Sequence, residues 1–162
     1  MNSNILLADL KLVVLARADW ESAAHLSAEI STQTLNPAFF NWSFESALSE
    51  FEKSETLIFK KDALILAYLS FRSFPDRLEI MALATSRAAA RKGLGSKLIH
   101  GLQLIAAQRS LPVCLEVHEN NQQAVNFYLK NRFSVIGRRK SYYSDGGAAV
   151  VMQSQTGDDI QS

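Results

Sequence analysis

RLEIMALATSRAAARKGLGSKLIHGLQLIAAQRSLPVCLEV, residues 77–117, decides the fold. It reads as a strand, a glycine turn, a long helix and a second strand. RLEIMALAT has the apolar character of a strand, and after Gly93 the residues Leu94, Leu98, Ile99, Leu102, Ile105 and Ala106 recur at helical spacing. The helix closes near Ser110, where Pro112 blocks its continuation, and LPVCLEV follows as a short buried strand. A strand–helix–strand crossover makes its two strands parallel.

Upstream, Leu10 to Ala18 reads as a strand, and Asp19 offers an oxygen to cap a helix carrying Trp20, Ala23, Ala24, Leu26 and Ile30. A loop around Asn36 and Pro37 leads to a second amphipathic helix near Ser43–Lys53, with Phe44, Leu48 and Phe51 on one face. TLIF, ALILAYLSF and RLEIMALAT are separated by the turn signals KKD and FPD, which predicts an antiparallel meander. Downstream, Asn120 or Asn121 caps a helix whose Ala124, Val125, Phe127 and Tyr128 face inward. Two strands, FSVIGRRK and AAVVMQ, then flank SYYSDGG, and the polar tail from Ser154 is expected to fray. The predicted class is α/β, a mixed, mostly antiparallel sheet with helices on both faces.

At 162 residues and 48% hydrophobic content the chain fits one domain, expected over residues 1–153. Seventeen Lys and Arg against sixteen Asp and Glu leave a net charge of +1, far from a sequence-independent nucleic-acid binder. The single cysteine, Cys114, excludes a disulfide framework and a cysteine-rich zinc site. The apolar N-terminal run is interrupted by Asp9, Lys11 and Arg17 and is followed by no cleavage pattern. It reads as a strand of a cytoplasmic protein with no membrane attachment.

The turn ARKGLG, Ala90–Gly95, is the first chemical signal. A helix beginning with Gly93, Leu94, Gly95 and Ser96 exposes unpaired backbone N–H groups whose dipoles favour an anion, and the missing side chains let it come close. Arg91 and Lys92 add positive charge, so a phosphate or pyrophosphate is the natural occupant, although a plain helix start would carry the same glycines. The spacing fits no nucleotide-triphosphatase loop, and Leu98 stands where the dinucleotide fingerprint needs a glycine.

In this turn the chain resembles the GNAT superfamily of N-acetyltransferases, whose signature Gln/Arg-x-x-Gly-x-Gly/Ala would read Ala90 to Gly95 here. The resemblance continues in LEVHENNQQAVNFYLKNRF and VIGRRKSYYSDGGAAVVMQ, which look like the RimI branch, the ribosomal-protein alanine N-terminal acetyltransferases. It covers Leu78 to Gln153 with the motifs in order. Two positions depart from the pattern: Ala90 lacks the basic or amide side chain, and Arg132 stands where glycine is common, which suggests that Asn131 takes the left-handed exit instead.

The resemblance implies acetyl-coenzyme A as co-substrate, no metal, and parallel strands that splay to free backbone groups at Leu83, Ala84 and Thr85 for the pantetheine arm. Glu116 matches the catalytic glutamate of the RimI branch. Independently, a carboxylate in the apolar strand Val113–Val117 is costly without water or a partner, and desolvation suits a general base. Glu79 competes for that role: it stands where many GNAT enzymes keep their base, and alternation would put Glu79, Met81 and Leu83 on one face. By resemblance, Tyr128 protonates the departing thiolate, a feasible transfer between a phenol of pKa ~10 and a thiol of ~8.5 when well positioned. Asn121 combines a helix cap with a pantetheine contact.

Tyr142 and Tyr143 lie in a turn-rich connection where exposed aromatics serve recognition, and similar enzymes use tyrosines there to hold the first residues of a substrate peptide. His25, His100 and His118 lack metal-ligand spacing and receive no role. The expected activity is acetyl transfer to a protein α-amine by direct attack. A small amine such as a polyamine, amino acid or aminoglycoside, and a non-catalytic acyl-coenzyme A binding module, remain open alternatives. The oligomeric state is not readable.

Overall fold

The computed structural model describes residues 11–34 and 36–155. The start of the expected first strand and the expected fraying beyond Gln155 lie outside these residues. In chain order the elements are β1 Lys11–Val14, α1 Trp20–Gln33, α2 Phe44–Lys53, β2 Glu55–Lys61, β3 Leu64–Phe74 and β4 Arg77–Thr85, then α3 Leu94–Arg109, β5 Val113–His118, α4 Gln122–Lys130, β6 Phe133–Arg139 and β7 Ala149–Ser154. One seven-stranded sheet runs in the order β1-β2-β3-β4-β5-β7-β6. Among the described residues only β4 and β5 are parallel, as a crossover through α3 requires.

Helices cover both faces. Leu94, Leu98, Ile99, Leu102 and Ala106 of α3, with Tyr128 of α4, pack on one side against Leu78, Ile80, Leu115 and Val117. On the other side Ala23, Ala24 and Leu26 of α1 and Ala47 and Phe51 of α2 pack against Tyr68, Ala82 and Ala84. Each fully buried leucine of the α3 stripe contributes about 2 kcal/mol of apolar transfer, so packing rather than intrinsic propensity holds this glycine-started helix.

Four local expectations change. Asp19 precedes α1 but makes no cap bond. Its carboxylate instead accepts from Lys60 Nζ at 2.9 and 3.0 Å, a charge-assisted contact stronger than a neutral cap. β1 ends at Val14, and a short 3-10 turn occupies Arg17–Asp19. Ser154 is not frayed: it closes β7, and its buried Oγ accepts from the Val113 N–H at 2.9 Å. The fourth change is in β4, where Ser70 pairs with Ala82 and Phe71 with Ile80, leaving Met81 as a bulge. The extra residue reverses the alternation. Leu78 and Ile80 therefore share the α3 face with Leu83, while Ala82 and Ala84 face α1 and α2. Glu79 and Leu83 do not lie on one face.

The left-handed exit from α4 falls on Arg132 itself, at φ +67°, and Asn131 stays at φ −100°. A non-glycine residue in this region costs about 1 kcal/mol, partly offset by the greater freedom glycine would bring to the unfolded chain. Arg132→Gly is expected to stabilise the protein by about 0.5 kcal/mol, a rise of about 1–2 °C in Tm measured by thermal unfolding; a fall would show that the Arg132 side chain holds something worth more than the strain.

Candidate active site

β4 and β5 pair only at Leu78 with Val113 and Glu79 with Cys114. Beyond Glu79 the strands part: β4 keeps its bonds to β3, and β5 keeps its bonds to β7 through His118. The facing edges, including the main chain at Leu83, Ala84 and Thr85, border a groove of about 1420 Å³. Arg91, Gly93, Leu94, Gly95 and Ser96 line one end; Phe39, Phe40, Trp42 and Tyr143 line the other; Glu116, Asn121 and Tyr128 stand between.

At the first end, no side chain caps α3. The first main-chain bond back into the helix comes from Lys97 N–H to Gly93 O at 3.1 Å, which leaves the preceding N–H groups at the helix start to face outward. Gly93 has φ +76°, and a Cβ there would meet nothing within 4 Å. The position is left-handed and open, so it cradles rather than packs. Gly95 does something different from the close approach expected of it, since its Cβ would lie 3.2 Å from the Phe127 ring: it lets α3 and α4 meet. Arg91 is exposed at φ +63° and Lys92 is half-buried beside it. An uncapped helix start, an open cradle and two cations fit a diphosphate.

Glu116 is not an isolated carboxylate. Arg139 of β6 pairs with it through Nε at 2.9 Å, and the exposed Tyr142 phenol lies near it. The Glu116 carboxylate, as a potential acceptor for the phenolic proton and as a charge, pushes the Tyr142 phenol up, and partial burial adds to it. Alternation along β5 places Val113, Leu115 and Val117 against α3, so Cys114, Glu116 and His118 share the opposite face. Glu79 belongs to that face too, but it is held by Arg77 at 3.1 Å and is not among the groove-lining residues. Tyr128 is buried, with its ring edge-on to Phe127 and Phe133, and burial pushes its phenol well above the usual range. Asn121 caps α4, its Oδ1 accepting from the Ala124 N–H at 3.3 Å.

The two tyrosines separate. Tyr142 is exposed and is not among the groove-lining residues, whereas Tyr143 lines the groove, half-buried, with its ring tilted at 33° to that of His118 and centroids 4.7 Å apart. Burial, then the charges around it, push the Tyr143 phenol up to about 12. Sequence reasoning missed Arg139, the aromatic rim and His118. For His118 a signal was present, since period-two alternation puts it on the face of Glu116. Among the described residues no group of three or more His, Cys, Asp and Glu side chains is arranged to hold a metal ion, and no helix is long and apolar enough to cross a membrane.

The sequence matches the profile of the acetyltransferase (GNAT) family over residues 16–133. The N-alpha-acetyltransferase RimI of Mycobacterium tuberculosis is 26% identical over 151 residues, covering 89% of this chain and 91% of that protein. The ribosomal-protein-S18-alanine N-acetyltransferase from Escherichia coli has the same fold, with a TM-score of 0.74 at 22% identity over 93% of this chain and 97% of its own. A GNAT family acetyltransferase from Elizabethkingia anophelis, solved with acetyl-CoA bound, aligns with a TM-score of 0.66 at 13% identity over 91% of this chain and 99% of its own.

Proposed function

The chain belongs to the GNAT family of acetyltransferases and is an acetyl-CoA-dependent N-acetyltransferase, and we propose that its acceptor is the α-amine at a protein's amino terminus. The observation that carries this reading is the parting of β4 from β5. It opens one groove that joins an anion-binding helix start to an aromatic rim, with Glu116 at the junction. Likeness to an N-alpha-acetyltransferase along most of the chain favours a protein acceptor over a small amine.

Acetyl-CoA supplies an acetyl group activated as a thioester. In our reading the N–H groups at the start of α3, with Arg91 and Lys92, hold its diphosphate, and Asn121 and the open β4 edge at Leu83, Ala84 and Thr85 hold the pantetheine arm. Unpaired β4 N–H groups also stabilise negative charge developing on the carbonyl oxygen. Glu116 takes the proton of the attacking amine, directly or through one water, and Arg139 and Tyr142 fix its orientation. Tyr128 gives a proton to the departing sulfur. Tyr142 and Tyr143 flank the incoming peptide. We assign Glu79 a supporting electrostatic part, since Arg77 already engages it, and we assign no part to a metal. A reducing, cytoplasmic setting suits the free Cys114.

Incubation with acetyl-CoA and a panel of amino-terminal peptides, following free thiol, tests the acceptor. Turnover on peptides with free, not blocked, α-amines is expected; turnover on a polyamine alone would replace the protein acceptor with a small one. Acetyl-CoA that raises Tm without turnover on any amine would mean a binding module. The grip is tested separately by Gly93→Val. It places a β-branched side chain in a left-handed, open cradle, and the affinity for coenzyme A by calorimetry is expected to fall at least about tenfold. An unchanged affinity would put the diphosphate elsewhere.

A further inference from the structure

His118 closes β5 two residues beyond Glu116 and is 1% exposed. Its Nδ1 accepts from the Asn120 N–H at 3.1 Å, which assigns the ring proton to Nε2. Nε2 in turn donates to the Asp145 carboxylate, 2.8 Å from Oδ2 and 3.0 Å from Oδ1. Asp145 also accepts from the Gly147 N–H at 2.8 Å and from Asn36 Nδ2 at 3.5 Å. The imidazole meets two aromatic rings at tilted angles, Phe39 with centroids 5.0 Å apart and Tyr143 with centroids 4.7 Å apart. A Cβ on Gly147 would overlap the imidazole, so the loop closes on His118 only because that residue is glycine.

Four segments therefore meet on one side chain: the end of β5, the turn that leads to the Asn121 cap, the α1–α2 connection carrying Asn36 and Phe39, and the β6–β7 loop carrying Tyr143 and Asp145. The last two form the rim of the groove opposite the α3 start. Neither is tied to the other by strand pairing.

We propose that the buried His118–Asp145 pair is a positioning device that locks the α1–α2 connection and the β6–β7 loop together over the acceptor end of the groove, in register with Glu116. Neither residue touches the reacting atoms. His118 supplies a buried aromatic post that one ring from each segment packs against, and Asp145 ties that post to both rims. The kinetic side of this inference rests on the protein-acceptor reading above; the structural side does not.

Asp145 is on the surface, so its replacement leaves the core intact. Asp145→Ala removes every acceptor, whereas Asp145→Asn keeps a carbonyl oxygen for the His118 Nε2–H. Hydrogen exchange on the unliganded full chain is expected to quicken about tenfold in both 36–43 and 140–148 in Asp145→Ala, with α3 unchanged, and to stay near wild type in Asp145→Asn. Steady-state kinetics on a peptide are expected to show KM for the peptide rising about tenfold, kcat within about threefold, and KM for acetyl-CoA unchanged. Faster exchange in 140–148 alone, exchange raised uniformly over the chain, or both KM values rising together would overturn the proposal. If the wild type turns over no peptide, the acceptor reading falls, and the exchange pattern still decides the device.

Discussion

Glu116→Gln is expected to lower kcat by about 10²–10³-fold, the range in which positioned general bases work. Glutamine keeps the shape of the side chain, but it cannot take a proton from an ammonium-forming nucleophile. It also leaves Arg139 without its counter-charge, a minor loss because Arg139 is largely exposed. The diphosphate end of the groove is lined by a different segment, Arg91 and Gly93 to Ser96, so coenzyme A should raise Tm in the variant as it does in the wild type. Glu79→Gln is the control. Its partner Arg77 and its position outside the groove lining predict a change in kcat of less than about threefold. A Glu116 variant that retains kcat, or a Glu79 variant that loses as much, would move the base from β5 to β4.

That comparison turns on what the residues could and could not say by themselves. The order of elements was legible because each depends on local signals: the period of the α3 stripe, Pro112, the Asn121 cap. The parallel pair followed from chain connectivity alone. What failed was set by groups distant in sequence. Asp19 was expected to cap α1, but a lysine forty-one residues away on β2 engages it more strongly. The bulge at Met81 has no sequence mark, yet it turns Glu79 and Leu83 to opposite faces. An unpaired carboxylate at Glu116 would be costly, but its partner Arg139 lies on β6, across β7 from β5, and a further bulge between Val135 and Gly137 resets which β6 residues share the face of Glu116. Arg132 shows the converse: the backbone demand for a left-handed residue was legible, and the chain met it with arginine at that position, not by shifting the demand to Asn131.

Tyr128→Phe is expected to lower kcat about 10²-fold, with KM for acetyl-CoA and for the peptide within about twofold. The substitution removes one hydroxyl and keeps the edge-on contacts with Phe127 and Phe133, so Tm should hold. The wild-type pH profile carries the sharper test. Rate should rise with pH as the acceptor α-amine loses its proton, near pKa ~8. Burial disfavours the phenolate, so the Tyr128 proton is lost only above the ordinary phenol range. A raised pKa keeps the acid form loaded to higher pH, and kcat should show no fall up to about pH 10. The same burial makes the phenol a poor acid toward a solvated thiolate; its proton moves only because the sulfur leaves into the same dry site, where an unprotonated thiolate is equally disfavoured. A descending limb below about pH 9 in the wild type, or full kcat in the Phe variant, would take the acid role from Tyr128 and leave the thiolate to be protonated by water entering along the open β4 edge.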